Sequence, residues 1–282
     1  MKFIKIMQCS IMLLAALLIF ISCKKENTVT PVNELEGLQL VTTISNDKHK
    51  ISLYTASGKF QTGYNDVYVQ IKNTDGSALT NATISWKPVM HMMSMSHSCP
   101  YSPVTKKDNA KSVYTGYIVF QMAGSDMEYW ELTLDYTING IAYTATDKIQ
   151  VIAASKRVVE SFKGSDGKRY VLAMVEPVTP RVAVNDMKVV LYRMESMMSF
   201  VTADNYTIKI DPRMPGMGNH SSPNNVNLTQ GTDKMYYGKL SLTMTGYWKI
   251  NLQLEDASQN ILKGEPVTDT NETSSIYFEL EF

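Results

Sequence analysis

Methionine, histidine and cysteine side chains are concentrated in two short stretches of the chain. The first, SWKPVMHMMSMSHSCP (85–100), contains Met90, His91, Met93, Met95, His97 and Cys99. The second, DPRMPGMGNHSSPNN (211–225), contains Met214, Met217 and His220. A thioether is a soft donor that needs no deprotonation and an imidazole is a borderline donor, so the combination favours Cu(I) over hard ions. Both stretches are therefore predicted metal sites, with Cu(I) as the expected cofactor.

The spacing predicts how each set of donors comes together. In an extended segment alternate residues share one face, which would place four donors side by side: Met93, Met95, His97 and Cys99. In the second stretch the donors recur every three residues, which suits a tight turn. We expect Gly216 and Gly218 to take positive φ in that turn, because glycine does so without steric cost.

A structural interpretation of the same methionines remains open. Methionine fills irregular gaps in cores and packs well on aromatic rings, so both stretches could instead cap the open ends of sandwich domains. Three further methionines, in YRMESMMSF, are interpreted as an apolar flap, with a ligand role near the second stretch as the alternative: Met194, Met197 and Met198. His49 is interpreted as a solvated surface residue, and Met122 and Met244 as core residues.

The N-terminus, MKFIKIMQCSIMLLAALLIFISCKKEN, has the features of an export signal. Lys2 and Lys5 precede an apolar run at 11–21, whose length suits a signal peptide and is short for a membrane span. The run ends in Ser22-Cys23, which resembles a bacterial lipobox. We expect a signal peptide at 1–22 and a tether at 23–36 that begins with lipidated Cys23. The protein is then a lipoprotein of the cell envelope, anchored to a membrane on the periplasmic or outer-membrane side.

Composition excludes several other classes of function. The formal net charge is +0, which gives no indication of a nucleic-acid partner, because that partner requires a basic patch. Of the three cysteines, one leaves with the signal peptide and one takes lipid, so no internal disulfide is expected. The chain lacks the sequence motifs of hydrolases, zinc proteases and nucleotide-binding enzymes. We therefore predict that it is not an enzyme.

The sequence of the rest of the chain predicts strands, arranged in two homologous domains. Segments such as NDVYVQIKN and YWKINLQLED alternate polar and apolar residues, and turn signals such as Asn139-Gly140 separate several of them. The order of motifs repeats at an interval of roughly 120 residues: YNDVYVQI with VNDMKVVL, then the two Met/His stretches, then VYTGYIVFQMAG with MYYGKLSLTMTG. We predict an all-β protein of two tandem immunoglobulin-like β-sandwich domains, at 37–153 and 157–282.

The second half resembles the YtkA-like/FixH-like family of exported β-sandwich domains. The resemblance rests on Asn185-Asp186, on PRMPGMGNHSSPNN, and on YYGKLSLTMTGYWKINLQL with its Tyr-Gly and Gly-x-Trp strands. Asn219 is an insertion relative to the Met-Pro-x-Met-Gly-His pattern of the family, and the first half is a degenerate copy. The resemblance implies a β-sandwich fold and links the chain with metal handling around respiratory oxidase maturation.

Two functions are consistent with these features. The leading hypothesis is a non-enzymatic, envelope-anchored protein that binds, transfers or buffers Cu(I) through its Met/His loops. Its partners would be a metal donor or acceptor, or a protein of a respiratory complex. The alternative is a β-sandwich interaction module that displays its loops to a membrane complex or a surface partner without any metal.

Overall fold

The computed structural model describes residues 33–282. The predicted signal peptide, the lipidation site at Cys23 and most of the predicted tether lie outside these residues. Contacts divide the chain into residues 1–33 and a second unit, Glu34–Phe282, to which everything below refers. Within the described part, no helix has the length and apolarity needed to cross a membrane.

The first half of the described chain is built from short strands, as the alternating sequence predicts. Their bounds are β1 (Gln39–Ser45), β2 (His49–Thr55), β3 (Phe60–Gln61), β4 (Gly63–Asn73), β5 (Ala82–His91), β6 (Ser96–His97), β7 (Thr105–Lys106), β8 (Val113–Phe120), β9 (Tyr129–Ile138), β10 (Ile141–Ile149) and β11 (Val151–Ile152).

These strands form two main sheets around one core. One sheet has the order β1-β2-β4-β8-β7 and the other β10-β9-β5-β6, while β11 and β3 form a small parallel pair. Residues alternate between buried and exposed along β9 and most of β4, because one face of each sheet turns inward. Trp130 lies fully buried at the centre of this core, beside Phe120.

The second half is also made of strands, with one short 3-10 turn. Its elements are β12 (Val159–Lys163), β13 (Arg169–Glu176), β14 (Ala183–Ser196), β15 (Ser199–Thr202), β16 (Thr207–Met214), the 3-10 turn (Pro215–Met217), β17 (His220–Ser221), β18 (Val226–Gln230), β19 (Tyr236–Leu242), β20 (Tyr247–Glu255), β21 (Ile261–Lys263) and β22 (Tyr277–Glu281).

All of these strands belong to one antiparallel sheet. Its main path is β12-β13-β14-β19-β18-β16-β20-β21, and β15, β17 and β22 pair with β14, β16 and β20 respectively. The sheet encloses a second core around fully buried Trp248 and Phe278. The chain is therefore an all-β protein of the sandwich class, with one core in each half. The immunoglobulin-like identity of the halves and the boundary between 153 and 157 remain predictions.

The predicted repeat is visible in matching hydrogen bonds. Asn65 and Asn185 are both buried at the start of a long strand. Each side-chain oxygen accepts a hydrogen bond from the backbone N–H four residues earlier. Each amide nitrogen donates to the carbonyl oxygens two and four residues earlier. These two asparagines therefore fix the entry of equivalent strands in the same way.

The tryptophans of the two halves are equivalent in the same sense. The indole N–H of Trp130 donates to the carbonyl of Met122 at 2.9 Å. The indole N–H of Trp248 donates to the carbonyl of Met244 at 3.0 Å. Because a buried indole N–H needs an acceptor, each tryptophan fixes the loop that precedes its own strand.

A third, smaller apolar cluster joins the two halves. Val119 from β8 packs with residues of β13 and β14, and the cluster consists of Val119, Val171, Ala173, Val190 and Tyr192. At its edge the hydroxyls of Tyr117 and Tyr192 are hydrogen-bonded at 2.6 Å. We call this cluster the joint. It fixes the outer face of β8 against the outer face of the β13–β14 pair.

The connection between the halves is hydrogen-bonded to both of them. The backbone N–H of Ala154 donates to Thr62 Oγ1 in the first half. The backbone N–H of Arg157 donates to a carboxylate oxygen of Glu279 in the second half. The linker therefore lies along the protein instead of spanning a gap.

Candidate metal centre

The first Met/His stretch reverses direction within four residues. Strand β5 ends at His91, and β6 returns antiparallel to it, with Met90 opposite His97. The backbone N–H of Met92 donates to the carbonyl of Met95 and closes the turn. The expectation of one shared face for residues 93–99 is therefore wrong, because the segment is not extended throughout. Exposure differs sharply within the expected set: Met93 81%, Met95 51%, His97 8% and Cys99 0%.

Met90 and Cys99 belong to the core of the first half. Both are fully buried, and Met90 lies opposite Trp130 in the β5–β9 pairing. Burial raises the pKa of the Cys99 thiol well above its usual range. Because the thiolate is the form that binds metals, these surroundings favour the role of a small apolar residue for Cys99.

The His91 side chain lies beside two residues of β9. Its ring stacks on Tyr129, with centroids 5.0 Å apart. Its Nε2 lies 3.4 Å from a carboxylate oxygen of Glu131. The ring thus packs against neighbours on β9, while its Nε2 is buried without a hydrogen-bond partner.

His97 has the arrangement of a metal-binding histidine. Its Nδ1 lies 2.8 Å from the carbonyl oxygen of Ser98, which can only accept, so Nδ1 carries the proton. In the neutral ring the lone pair is then on Nε2, which has no hydrogen-bond partner among residues 33–282. The ring is 8% exposed and meets Trp130 edge-on at 5.6 Å. A histidine that is held by one nitrogen on a backbone carbonyl presents the other in a fixed direction.

His97 lines a cavity of about 450 Å³ between the two halves. From the first half the lining includes Met95, His97, Gln121 and Met122. From the second half it includes Ser161, Phe162, Arg169, Tyr170, Val171, Met194 and Met197. The cavity thus gathers four thioethers and one imidazole. The side-chain oxygen of Gln121 is buried there without a hydrogen-bond partner.

A cavity of similar size, about 490 Å³, is a useful contrast. It is lined by hydroxyl, amide, proline and carboxylate side chains, and Met174 is its single thioether. No histidine lines it. Size therefore does not distinguish the two cavities, whereas donor chemistry does.

The hairpin of β14 and β15 brings the second-half methionines to the first half. Met197 lies at its tip, and the carbonyl of Met197 accepts a hydrogen bond from the backbone N–H of Ser98 at 2.8 Å. Met198, the next residue, is about as exposed as Met197, at 39% against 41%, but is not part of the cavity lining. The sequence favours an apolar flap for this cluster, with a ligand role near the second Met/His stretch as the alternative. The structure places it against the first.

The second Met/His stretch forms the expected turn, but this turn lies away from the cavity between the halves. Met214 is 5% exposed and belongs to the second core, whereas Met217 is 58% exposed and His220 is also exposed. Met214 lies opposite His220, as Met90 lies opposite His97. These residues do not line the cavity between the halves.

The backbone of this turn differs from the expectation at one residue. Gly218 takes positive φ, at +63°, as expected. Gly216 does not, and Asn219 takes the left-handed conformation instead, at +58°. Asparagine tolerates that conformation better than most residues with a side chain, so the inserted Asn219 completes the turn.

The donor set in the cavity depends on sulfur. Among residues 33–282, no three His, Cys, Asp or Glu side chains come together in a way that could hold a metal ion. A metal in the cavity would therefore rely on thioethers together with His97. Met122, interpreted from sequence as a core residue, is partly buried against the first core and also lines the cavity.

Comparisons with known proteins add little to this geometry. No protein-family model matches this chain, and no curated protein matches it. Among solved structures, the chain is similar to the crystal structure of a DUF4785 family protein from Legionella pneumophila, with 12% sequence identity and a TM-score of 0.25. The similarity covers 76% of this chain and 54% of that protein, so this chain spans about half of its length. A TM-score of 0.25 supports no argument about fold or function.

Proposed function

We propose that this protein is a non-enzymatic, envelope-anchored Cu(I)-binding protein that buffers or transfers the ion. The observation that carries the proposal is His97. Its Nδ1 is held by the Ser98 carbonyl, and the ring lines a cavity together with methionine side chains.

The chemistry of the donors supports Cu(I) over other ions. Thioethers are neutral and soft, and they select Cu(I) among biological metals. Zinc sites in proteins draw on thiolates, imidazoles and carboxylates, and calcium sites on several oxygens. The cavity offers one imidazole and no carboxylate among its lining residues.

The sequence supports the rest of the proposal. The lipobox-like Ser22-Cys23 supports a location in the envelope, where a lipid anchor would hold the protein to a membrane. The resemblance to YtkA-like/FixH-like domains fits a metal donor, a metal acceptor or a respiratory-complex protein as partner.

The test is an anaerobic Cu(I) titration of the chain from residue 24 onward against a colorimetric chelator. His97→Asn is the informative variant, because the asparagine amide can still donate to the Ser98 carbonyl while the Nε2 donor is lost. His220→Asn is the matched control at the equivalent, exposed position of the repeat. We expect tight binding in the wild type and the control, and weakened binding in His97→Asn. A wild-type protein that does not compete with the chelator would overturn the proposal.

One observation favours the interaction module as the second candidate. Met93 and Met127 are 81% and 72% exposed in neighbouring loops at one end of the first half. Exposed methionines adapt to varied partner surfaces. A wild type without Cu(I) affinity would leave this as the remaining function, and a protein partner would then be sought at these loops.

A further inference from the structure

We propose that the second half completes the metal site, so that Met194 and Met197 hold a single Cu(I) ion together with Met95 and His97. This inference rests on the proposed function, and it adds that one ion is shared between the two halves. It also gives a role to a hairpin whose methionines the sequence indicated to be a simple apolar flap.

The hairpin of β14 and β15 is attached directly beside His97. The carbonyl of Met197 accepts the backbone N–H of Ser98, and the carbonyl of Ser98 accepts Nδ1 of His97. The hydroxyl of Ser98 in turn donates to the carbonyl of Pro88 at 2.7 Å. Ser98 is 1% exposed, so these bonds are shielded from water. One residue therefore fixes both the imidazole and the tip of the hairpin.

The joint keeps the two elements that carry the donors in one relative position. Tyr192 lies two residues before Met194 on the same strand, and its hydroxyl bonds to that of Tyr117 in the first half. The buried side chains of the joint fix β14 against β8. Donors on two separately packed elements can form a site only if the elements keep one relative position, and the joint provides it.

The charge of the ion also suits the cavity. Cu(I) with thioethers and a neutral imidazole keeps a net charge of one, which a partly buried cavity tolerates better than a divalent ion. Arg169 also lines the cavity, but it is an exposed residue, so its guanidinium can remain in water while its stem covers the apolar wall. The unpartnered oxygen of Gln121 adds a polar acceptor in the same space.

The test compares two pairs of methionine substitutions in the chain from residue 24 onward. Met194→Leu with Met197→Leu removes two sulfurs of the second half and keeps apolar bulk. Met93→Leu with Met198→Leu is the matched control, because these residues do not line the cavity. We expect one equivalent of Cu(I) in the wild type and the control. In the first pair we expect a loss of affinity of at least about tenfold, which is the loss that even supporting residues of metal sites cause.

A second readout locates the bound ion instead of measuring its affinity. Hydrogen peroxide converts a thioether to a sulfoxide and is itself reduced to water, and peptide mass spectrometry locates the modified residues. Ag(I), a soft ion that peroxide does not cycle between oxidation states, replaces Cu(I) as the probe. We expect Ag(I) to slow oxidation of Met95 and Met197, and to leave that of Met93 and Met127 unchanged.

The outcomes separate the two proposals. If the wild type binds Cu(I) and the Met194/Met197 pair binds it equally well, the shared site is wrong. The same conclusion follows if Ag(I) protects Met95 but leaves Met197 reactive. If the wild type binds neither ion, the proposed function itself fails. Thermal unfolding of each variant shows whether a loss of binding reflects a loss of folding.

Discussion

The two Met/His loops share one strand register but lie in different surroundings. In each, a buried methionine at or next to the end of a strand lies opposite a histidine on a two-residue return strand: Met90 with His97, and Met214 with His220. The first histidine is buried beside Trp130 and lines the cavity between the two halves, whereas the second is exposed. The buried methionine that both loops share therefore serves packing. Whether the histidine can form part of a site depends on the neighbouring half.

The largest expected effect tests the shared packing role. Met90→Ala and Met214→Ala should each reduce the free energy of unfolding by about 2–5 kcal/mol, because each leaves a cavity in a close-packed core. The methyl group of Met214 lies so close to Gly246 that an added Cβ there would meet it at 3.1 Å. Met217→Ala, on a 58% exposed residue, is the control and should change stability by less than about 0.5 kcal/mol. Denaturant unfolding measures all three, and a cost at Met217 comparable to that at Met214 would contradict the assignment of packing to Met214 alone.

A smaller effect tests whether the halves are equivalent where the sequence repeats. Asn65→Ala and Asn185→Ala each remove a buried amide that bonds to one backbone N–H and two backbone carbonyls at equivalent positions. Each should cost about 1–3 kcal/mol, because backbone groups lose their partners in a buried site. The same denaturant experiment applies. Costs that differ by more than a factor of two or so would show that the repeat is not energetically symmetric.

A still smaller effect on stability tests the joint, which holds the second half beside the first Met/His loop. Tyr117→Phe removes one hydroxyl of the pair with Tyr192 and keeps both rings. Burial raises the pKa of both tyrosines above the usual range, in accord with a hydroxyl pair held away from water. We expect a loss of about 0.5–1.5 kcal/mol in stability. Tyr68→Phe, at a tyrosine outside the joint, is the control and should cost less.

The smallest effect is the contribution of His49, in the first half, to the pH dependence of stability. Burial is the main cause of a lowered pKa for His49, with Lys48 adding to it. The unfolded chain then takes up a proton before the folded chain does, so stability is complete above the usual histidine pKa of 6.5 and falls as the pH drops below it. Thermal unfolding at pH 7 and pH 5.5 should show this decrease. In His49→Gln the contribution of this residue should be absent, and an unchanged pH dependence would exclude His49 as its source.

Local features of the fold could be predicted from the sequence. The Asn139-Gly140 signal produces a tight hairpin between β9 and β10, with both residues at positive φ. The segment NDVYVQIKN lies within β4, as its alternation predicts. Trp130 and Trp248 are the core anchors that their positions in the repeat suggest. These features depend on short-range steric preferences and on the burial of one face of a strand.

Long-range contacts could not be predicted in this way. The hairpin that carries Met197 contacts Ser98, which is 99 residues earlier, and nothing in YRMESMMSF indicates that contact. His49 was expected at the surface, but it is 7% exposed and bonds to the hydroxyl of Tyr136 at 3.0 Å. The joint is equally hidden in the sequence, because Val119 and Val171 look like ordinary strand residues. The outer faces of the two halves that come into contact are determined by the fold of the whole chain.

The hydrogen-bonded linker has a consequence for the integrity of the protein. Ala154 is fixed to the first half and Arg157 to the second, while the joint and the backbone hydrogen bond from Ser98 to Met197 hold the halves together. A protease that cleaved between these residues would therefore cut the chain without separating its parts. The nicked protein should migrate as one particle in size-exclusion chromatography and as two fragments after denaturation. In that sense the second half behaves as a subunit that happens to be covalently attached.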